Sequence, residues 1–179
     1  ARCVAKYYME EQNPLRLCYL ERTFKNNTSY QGRLKEMTQT GAELIGDDSA
    51  QADAELLAML IEALKSAGLQ EFQIELGHAE FYRGMAEETG MDEETQELLR
   101  EFIEHKNYFG AEALLTSKGM EESSKQGFLR LLELFGPAEQ LKQPRTLTSN
   151  PRALAAIDRL QKIQELLEDY GLEDYISYD

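Results

Sequence analysis

The most constraining feature of the sequence is a pair of period-two segments joined by a long polar loop. From Leu15 to Phe24, Leu15, Leu17 and Tyr19 alternate with Arg16, Cys18 and Leu20, a pattern that fits a strand and not a helix. Lys25–Gly32 is polar and rich in turn formers, and a second strand is expected over 35–45, so the two form an antiparallel pair. Gly46-Asp47-Asp48-Ser49 closes this segment and offers a helix N-cap. Ala52–Ala67 then carries Leu56, Leu57, Leu60, Ile61 and Leu64 on one helical stripe, with Gly68 just beyond. Phe72–Gly77 alternates again and is expected to be a half-buried strand. This order predicts an α+β domain, a helix laid on one face of a mainly antiparallel sheet.

The flanks read differently. Ala1–Glu11 has helical spacing, with Val4, Tyr7, Tyr8 and Met9 expected on its buried side and Asn13-Pro14 as its terminator. From Tyr82 to about Asp169 only helical patterns occur. One runs from an Asp92 N-cap to His105, with Glu93 and Glu94 in its first turn, where the helix dipole favours acids. A short helix is expected over 110–116. Another carries Phe128, Leu131, Leu132 and Phe135 to a stop at Gly136-Pro137, and the last starts at Asn150-Pro151 and ends at Gly171. The division is therefore residues 1–81 as a sheet-containing region, 82–169 as a helical insertion and 170–179 as the start of a return to the sheet. The first residue is not Met, and Tyr175–Asp179 has the alternation of a strand that has just begun, so an incomplete domain, cut from a longer protein, is expected.

Composition narrows the function. Among 179 residues, 19 Lys and Arg face 33 Asp and Glu, a formal charge of −14. Such a field opposes phosphate backbones and anionic lipid, so neither nucleic acid nor membrane is expected as a partner. No apolar run approaches the roughly 20 residues of a membrane helix. Cys3 and Cys18 suit a reducing cytoplasm and read as small buried or half-buried side chains. With two His in all, no zinc set is plausible and no metal or cofactor is expected. His78 follows a strand end, where site residues occur. His105 sits near a helix C-terminus, which favours a cation regardless of function.

The segment Leu17–Gly46 carries a more specific signal. The Phe24-Lys25 strand end, the long loop, Gln31-Gly32-Arg33, and Gln39-Thr40-Gly41-Ala42-Glu43-Leu44-Ile45-Gly46 resemble, in register, motif 2 of the class II aminoacyl-tRNA synthetases in its histidyl form. The following helix and the strand ending Leu76-Gly77-His78 extend the likeness over about the first 80 residues. The helical half is similar to that family's insertion, and Tyr170–Asp179 to the lead-in to its histidine-binding segment.

The resemblance implies roles. The basic side chain at the first strand's end would hold the α-phosphate of ATP and stabilise charge in the transition state. The family has Arg there, followed two positions on by Glu, whereas this sequence has Lys25 and Asn27. Lysine keeps the charge without the bidentate fork, and asparagine has no carboxylate. Arg33 matches the loop arginine facing the triphosphate. Gln39 and Glu43 match residues holding the amino group and ring of histidine, and their spacing of four along a strand puts them on one face.

An amino-acid pocket kept beside an eroded ATP site resembles a branch of the same fold that does not aminoacylate, the regulatory subunits of ATP phosphoribosyltransferase. That likeness implies a short-form catalytic transferase as partner, histidine as effector, a homodimer within a hetero-oligomer, and no catalytic residue. The alternatives are a histidyl-tRNA synthetase catalytic fragment, distinguished by Lys25 and Asn27, and an interaction module sharing only the fold.

Overall fold

The structure, a computed structural model, describes residues 2–12, 14–26, 32 and 34–179. They form two compact units, Ala1–Leu60 and Ile61–Asp179.

The first unit contains α1 (Arg2–Tyr7), β1 (Leu15–Phe24), β2 (Glu36–Ile45) and the start of α2 (Ala50–Ser66). As the alternation predicts, β1 and β2 pair antiparallel, in unbroken register from Leu15 opposite Ile45 to Phe24 opposite Glu36. Ser49 Oγ accepts the Ala52 N–H at 3.2 Å, capping α2. Arg16 Nε and Nη2 donate to the two carboxylate oxygens of Glu55 at 2.5 and 2.7 Å, a fork joining β1 to α2.

Three expectations fail in this unit. The N-terminal helix stops at Tyr7 and its supposed inner side faces solvent, with Tyr7 66% and Met9 73% exposed. Six residues close too few backbone bonds for a stable helix, and no apolar surface of the unit covers its stripe. The expected terminator, Asn13, lies outside the described residues. Cys3 and Cys18 are exposed, because each lies on an element whose face is unpacked. Leu60 is 43% exposed while Ile61 is fully buried: neighbouring helix positions point about 100° apart, and the buried arc passes through Ile61.

The second unit contains the end of α2, then β3 (Ile74–Leu76), α3 (Ala79–Thr89), α4 (Glu93–Glu104), α5 (Tyr108–Ser117), α6 (Glu122–Leu131), two 3-10 turns at Ala138–Lys142 and Pro144–Thr146, α7 (Pro151–Tyr170) and β4 (Ile176–Tyr178). The capping signals are where the sequence puts them: Asp92 accepts the Thr95 N–H at 2.8 Å, and Asn150 accepts the Arg152 N–H at 2.8 Å. α3 is an addition, since the helical half begins at Ala79 with His78 as N-cap. α6 ends before Leu132 and Phe135, and Phe135 is 49% exposed. The chain there is drawn away to Gly136, which exchanges backbone hydrogen bonds with Tyr178 at 3.0 and 2.8 Å. The sheet of this unit also departs from expectation, because β4 returns parallel to β3, with Ile74 opposite Ile176. Parallel neighbours need a long crossover, and α3 to α7 supply it. Among the described residues no helix is long and apolar enough to cross a membrane.

The helices bury a core of Met85, Leu99, Ala111, Leu115, Phe128 and Leu129, with the Tyr82 ring edge-on to Phe128 at 5.9 Å. α3 and α7 cross with almost no gap. A Cβ on Gly84 would lie 2.6 Å from the Ala153 nitrogen, 2.8 Å from its Cβ and 3.0 Å from Asn150 Oδ1. Exposed Arg152 straps the crossing by donating to Glu80 and Glu87.

Gly84→Ala sets two effects against each other. Alanine gains up to about 1 kcal/mol of helix propensity, but overpacking against backbone and the Asn150 cap costs about 1–3 kcal/mol. A net loss of stability is expected, read as a lower urea midpoint with an unchanged slope.

Candidate functional site

Directly paired residues of an antiparallel ladder point to the same side. The register sets Leu17 opposite Glu43, Tyr19 opposite Gly41 and Glu21 opposite Gln39. Gln39 and Glu43 therefore share one face, and they bracket Gly41. Along the strand they are roughly 13 Å apart. The Tyr19 ring fills the interval: a Cβ on Gly41 would come within 2.5 Å of its Cζ and Oη. Gln39 Nε2 donates to the Tyr19 hydroxyl at 3.0 Å. Thr40 Oγ1 donates to the Tyr19 carbonyl at 3.2 Å, tying the two strands at the same level.

The side chains of Gln39 and Glu43 are exposed, and Tyr19 is 37% exposed. The face thus offers an aromatic floor with an amide at one end and a carboxylate at the other. It suits a small ligand bearing a hydrogen-bond donor at each end. Tyr19 is the residue that sequence reasoning missed. Its place on the face with Leu15 and Leu17 was legible, but its position over Gly41 depends on a register that a long loop leaves open.

At the open end of the hairpin the Lys25 N–H donates to the Lys35 carbonyl at 2.8 Å, carrying the pairing one step past Phe24. The Lys25 side chain is exposed, as a phosphate-facing cation would have to be. Asn27 and Arg33 lie outside the described residues, so no geometry joins them to Lys25.

The two histidines have local explanations. His78 Nδ1 accepts the Glu80 N–H at 3.3 Å as the N-cap of α3, and His105 Nδ1 meets the Glu101 carbonyl at 2.7 Å at the end of α4. Among the described residues no group of three or more His, Cys, Asp or Glu is placed to hold a metal ion.

The second unit holds a separate cleft of about 970 Å³, floored by Leu131, Leu141, Ile157 and Leu160 and rimmed by Arg100 and Lys106. Its cations are already engaged: Arg83 with Glu80, Arg100 with Glu97 and Glu104, Lys106 with Asp179. Its two phenols are also committed. Tyr82 donates to the Gln96 carbonyl at 2.5 Å and Tyr178 to Gln164 Oε1 at 2.7 Å. Burial lifts Tyr82 well above the ordinary phenol range and pushes Tyr178 up to about 12.

The folded state therefore keeps protons that the unfolded chain releases near the ordinary phenol value of 10.0. The stability these phenols contribute is complete below about pH 10 and is lost as pH rises towards 12. Phenolate absorbance should accordingly appear in two stages during alkaline titration, and Tyr178→Phe should remove part of the later one.

Known proteins share this fold. Residues 1–179 match the family model described as histidyl-tRNA synthetase. An ATP phosphoribosyltransferase regulatory subunit of Acetivibrio thermocellus is 37% identical over 179 residues, which is 100% of this chain and 43% of that relative. The crystal structure of an ATP phosphoribosyltransferase regulatory subunit/histidyl-tRNA synthetase from Bacillus halodurans matches with a TM-score of 0.91 at 32% identity, over 99% of this chain and 46% of that one. An ATP phosphoribosyl transferase (HisG:HisZ) complex from Thermotoga maritima has the same fold in one chain, with a TM-score of 0.75 at 16% identity over 99% of this chain and 60% of that one. The fold is that of the class II synthetases, and the chain spans less than half the length of the curated relatives it matches.

Proposed function

This chain belongs to the histidyl-tRNA synthetase family, and on that premise we propose that the full-length protein is the non-catalytic regulatory subunit of ATP phosphoribosyltransferase. In this role it assembles, as a homodimer within a hetero-oligomer, with the short-form catalytic transferase. It supports the first step of histidine biosynthesis in the cytoplasm and carries feedback inhibition by histidine. The observation that carries the reading is 37% identity, across every residue of this chain, to a protein named as that subunit.

The residues agree with it. Adenylation needs donors aimed at a phosphate whose charge grows in the transition state. At the position where a synthetase has a forked arginine this hairpin ends in Lys25, and two positions on it has Asn27 in place of glutamate. Gln39 and Glu43 meanwhile stand on one exposed face of β2. Such a site binds an amino acid without activating it.

Binding alone does not regulate. Histidine shifts the transferase only by as much as it prefers one conformation of the assembly, and a tenfold preference corresponds to about 1.4 kcal/mol of coupling. The charge of −14 fits a subunit that has no polyanion to hold.

A second reading, a histidyl-tRNA synthetase catalytic fragment, is favoured by one observation, the double name of the Bacillus halodurans relative. The two readings part in one assay. The full-length protein should co-purify with the transferase of its own organism and confer histidine inhibition on it. Glu43→Ala should raise the histidine needed for half-inhibition by about tenfold or more, as expected for losing a charged partner of a bound cation, with co-purification unchanged. Histidine-dependent pyrophosphate exchange at an ordinary synthetase rate would overturn the regulatory reading.

A further inference from the structure

We infer that Tyr19 is a positioning residue for the amino-acid site on the β1–β2 face, holding the Gln39 amide so that its carbonyl oxygen points outward as an acceptor for an ammonium group. The inference rests on the function proposed above and assigns the selectivity of that site.

A glutamine amide has a donor end and an acceptor end of nearly the same shape. On an exposed strand face nothing intrinsic decides which end meets a ligand. Here Nε2 is committed to the Tyr19 hydroxyl at 3.0 Å, which turns Oε1 away from the ring. The ammonium group of an amino acid then finds an acceptor at Gln39. A ligand without a donor at that place forgoes the hydrogen bond that Oε1 offers, and binds less tightly by that amount.

Two further observations show that this arrangement is built. The ring sits where only glycine permits, since any side chain at position 41 would begin 2.5 Å from its Cζ. Its backbone is pinned from the facing strand by Thr40 Oγ1 at 3.2 Å. A tyrosine serving only as packing would not need 37% of its surface in solvent, nor a hydroxyl bonded to a residue of the site.

The test uses the full-length protein and two probes: histidine, and its analogue with a hydrogen in place of the amino group. Calorimetric titration of Tyr19→Phe, which keeps the ring over Gly41, should show histidine affinity reduced about tenfold and discrimination between the probes reduced by a similar factor. Loss of packing alone would weaken both probes equally and leave discrimination intact, which would overturn the inference. Gly41→Ala should reproduce the Tyr19→Phe loss, yet add less than about twofold in a Tyr19→Ala background, where the ring it displaces is gone. If Gln39→Ala and Glu43→Ala leave histidine affinity unchanged, the site itself is wrong and the inference falls with it. If those two variants weaken binding while Tyr19→Phe matches the parent protein in affinity and discrimination, the site stands and the role of Tyr19 does not.

Discussion

The second unit depends on how closely α3 and α7 approach. At Gly84 the backbones nearly touch, and the same point holds Asn150, whose side chain caps α7. The crossing therefore sets where α7 starts as well as how it lies. From there the buried row Ala153, Ala156, Ile157, Leu160, Ile163 and Leu167 runs the length of the helix, and the chain passes on to β4. Arg152 with Glu80 and Glu87 adds orientation more than energy, because exposed ion pairs are worth little. The close contact instead gains from the many short dispersion contacts that a missing side chain allows.

Elements specified by their own neighbours were legible in the sequence. Asn150-Pro151 and Gly171 bound α7, Asp92 starts α4, and the alternation of Leu15 to Phe24 forms β1. What depended on distant residues was not. The stripe of Val4, Tyr7, Tyr8 and Met9 has helical spacing, but Tyr7, Tyr8 and Met9 stay exposed. Nothing local could reveal that β4 would run parallel to β3, or that Gly136 would leave the end of a helix to pair with Tyr178. In the candidate site the shared face of Gln39 and Glu43 followed from their spacing. Tyr19 did not, because its partner Gly41 is 22 residues away across a loop of unspecified reach.

The charge of the chain also reads differently beside the structure. Arg16, Arg22, Arg83, Arg100, Lys106, Lys118, Arg145 and Arg152 all stand within salt-bridge distance of carboxylates. The pairing holds Glu55 and Glu80 below the usual carboxylate range, through Arg16 and through Arg152 with Arg83 respectively. These cations are spent on local order, so the surplus of acid is expressed at the surface. A protein partner meets a negative field with a screening length of about 8 Å at physiological salt.

The pairing of Gly136 with Tyr178 ties the helical excursion to the strand that follows it. β4 has β3 on one side and Gly136 on the other, and all three of its residues are buried. The Tyr178 amide proton is consequently shielded from deuterium by a carbonyl that the excursion supplies. That proton exchanges only when the excursion lets go. A single backbone amide in the sheet thus reports on the Gly136 contact by which the excursion holds the strand.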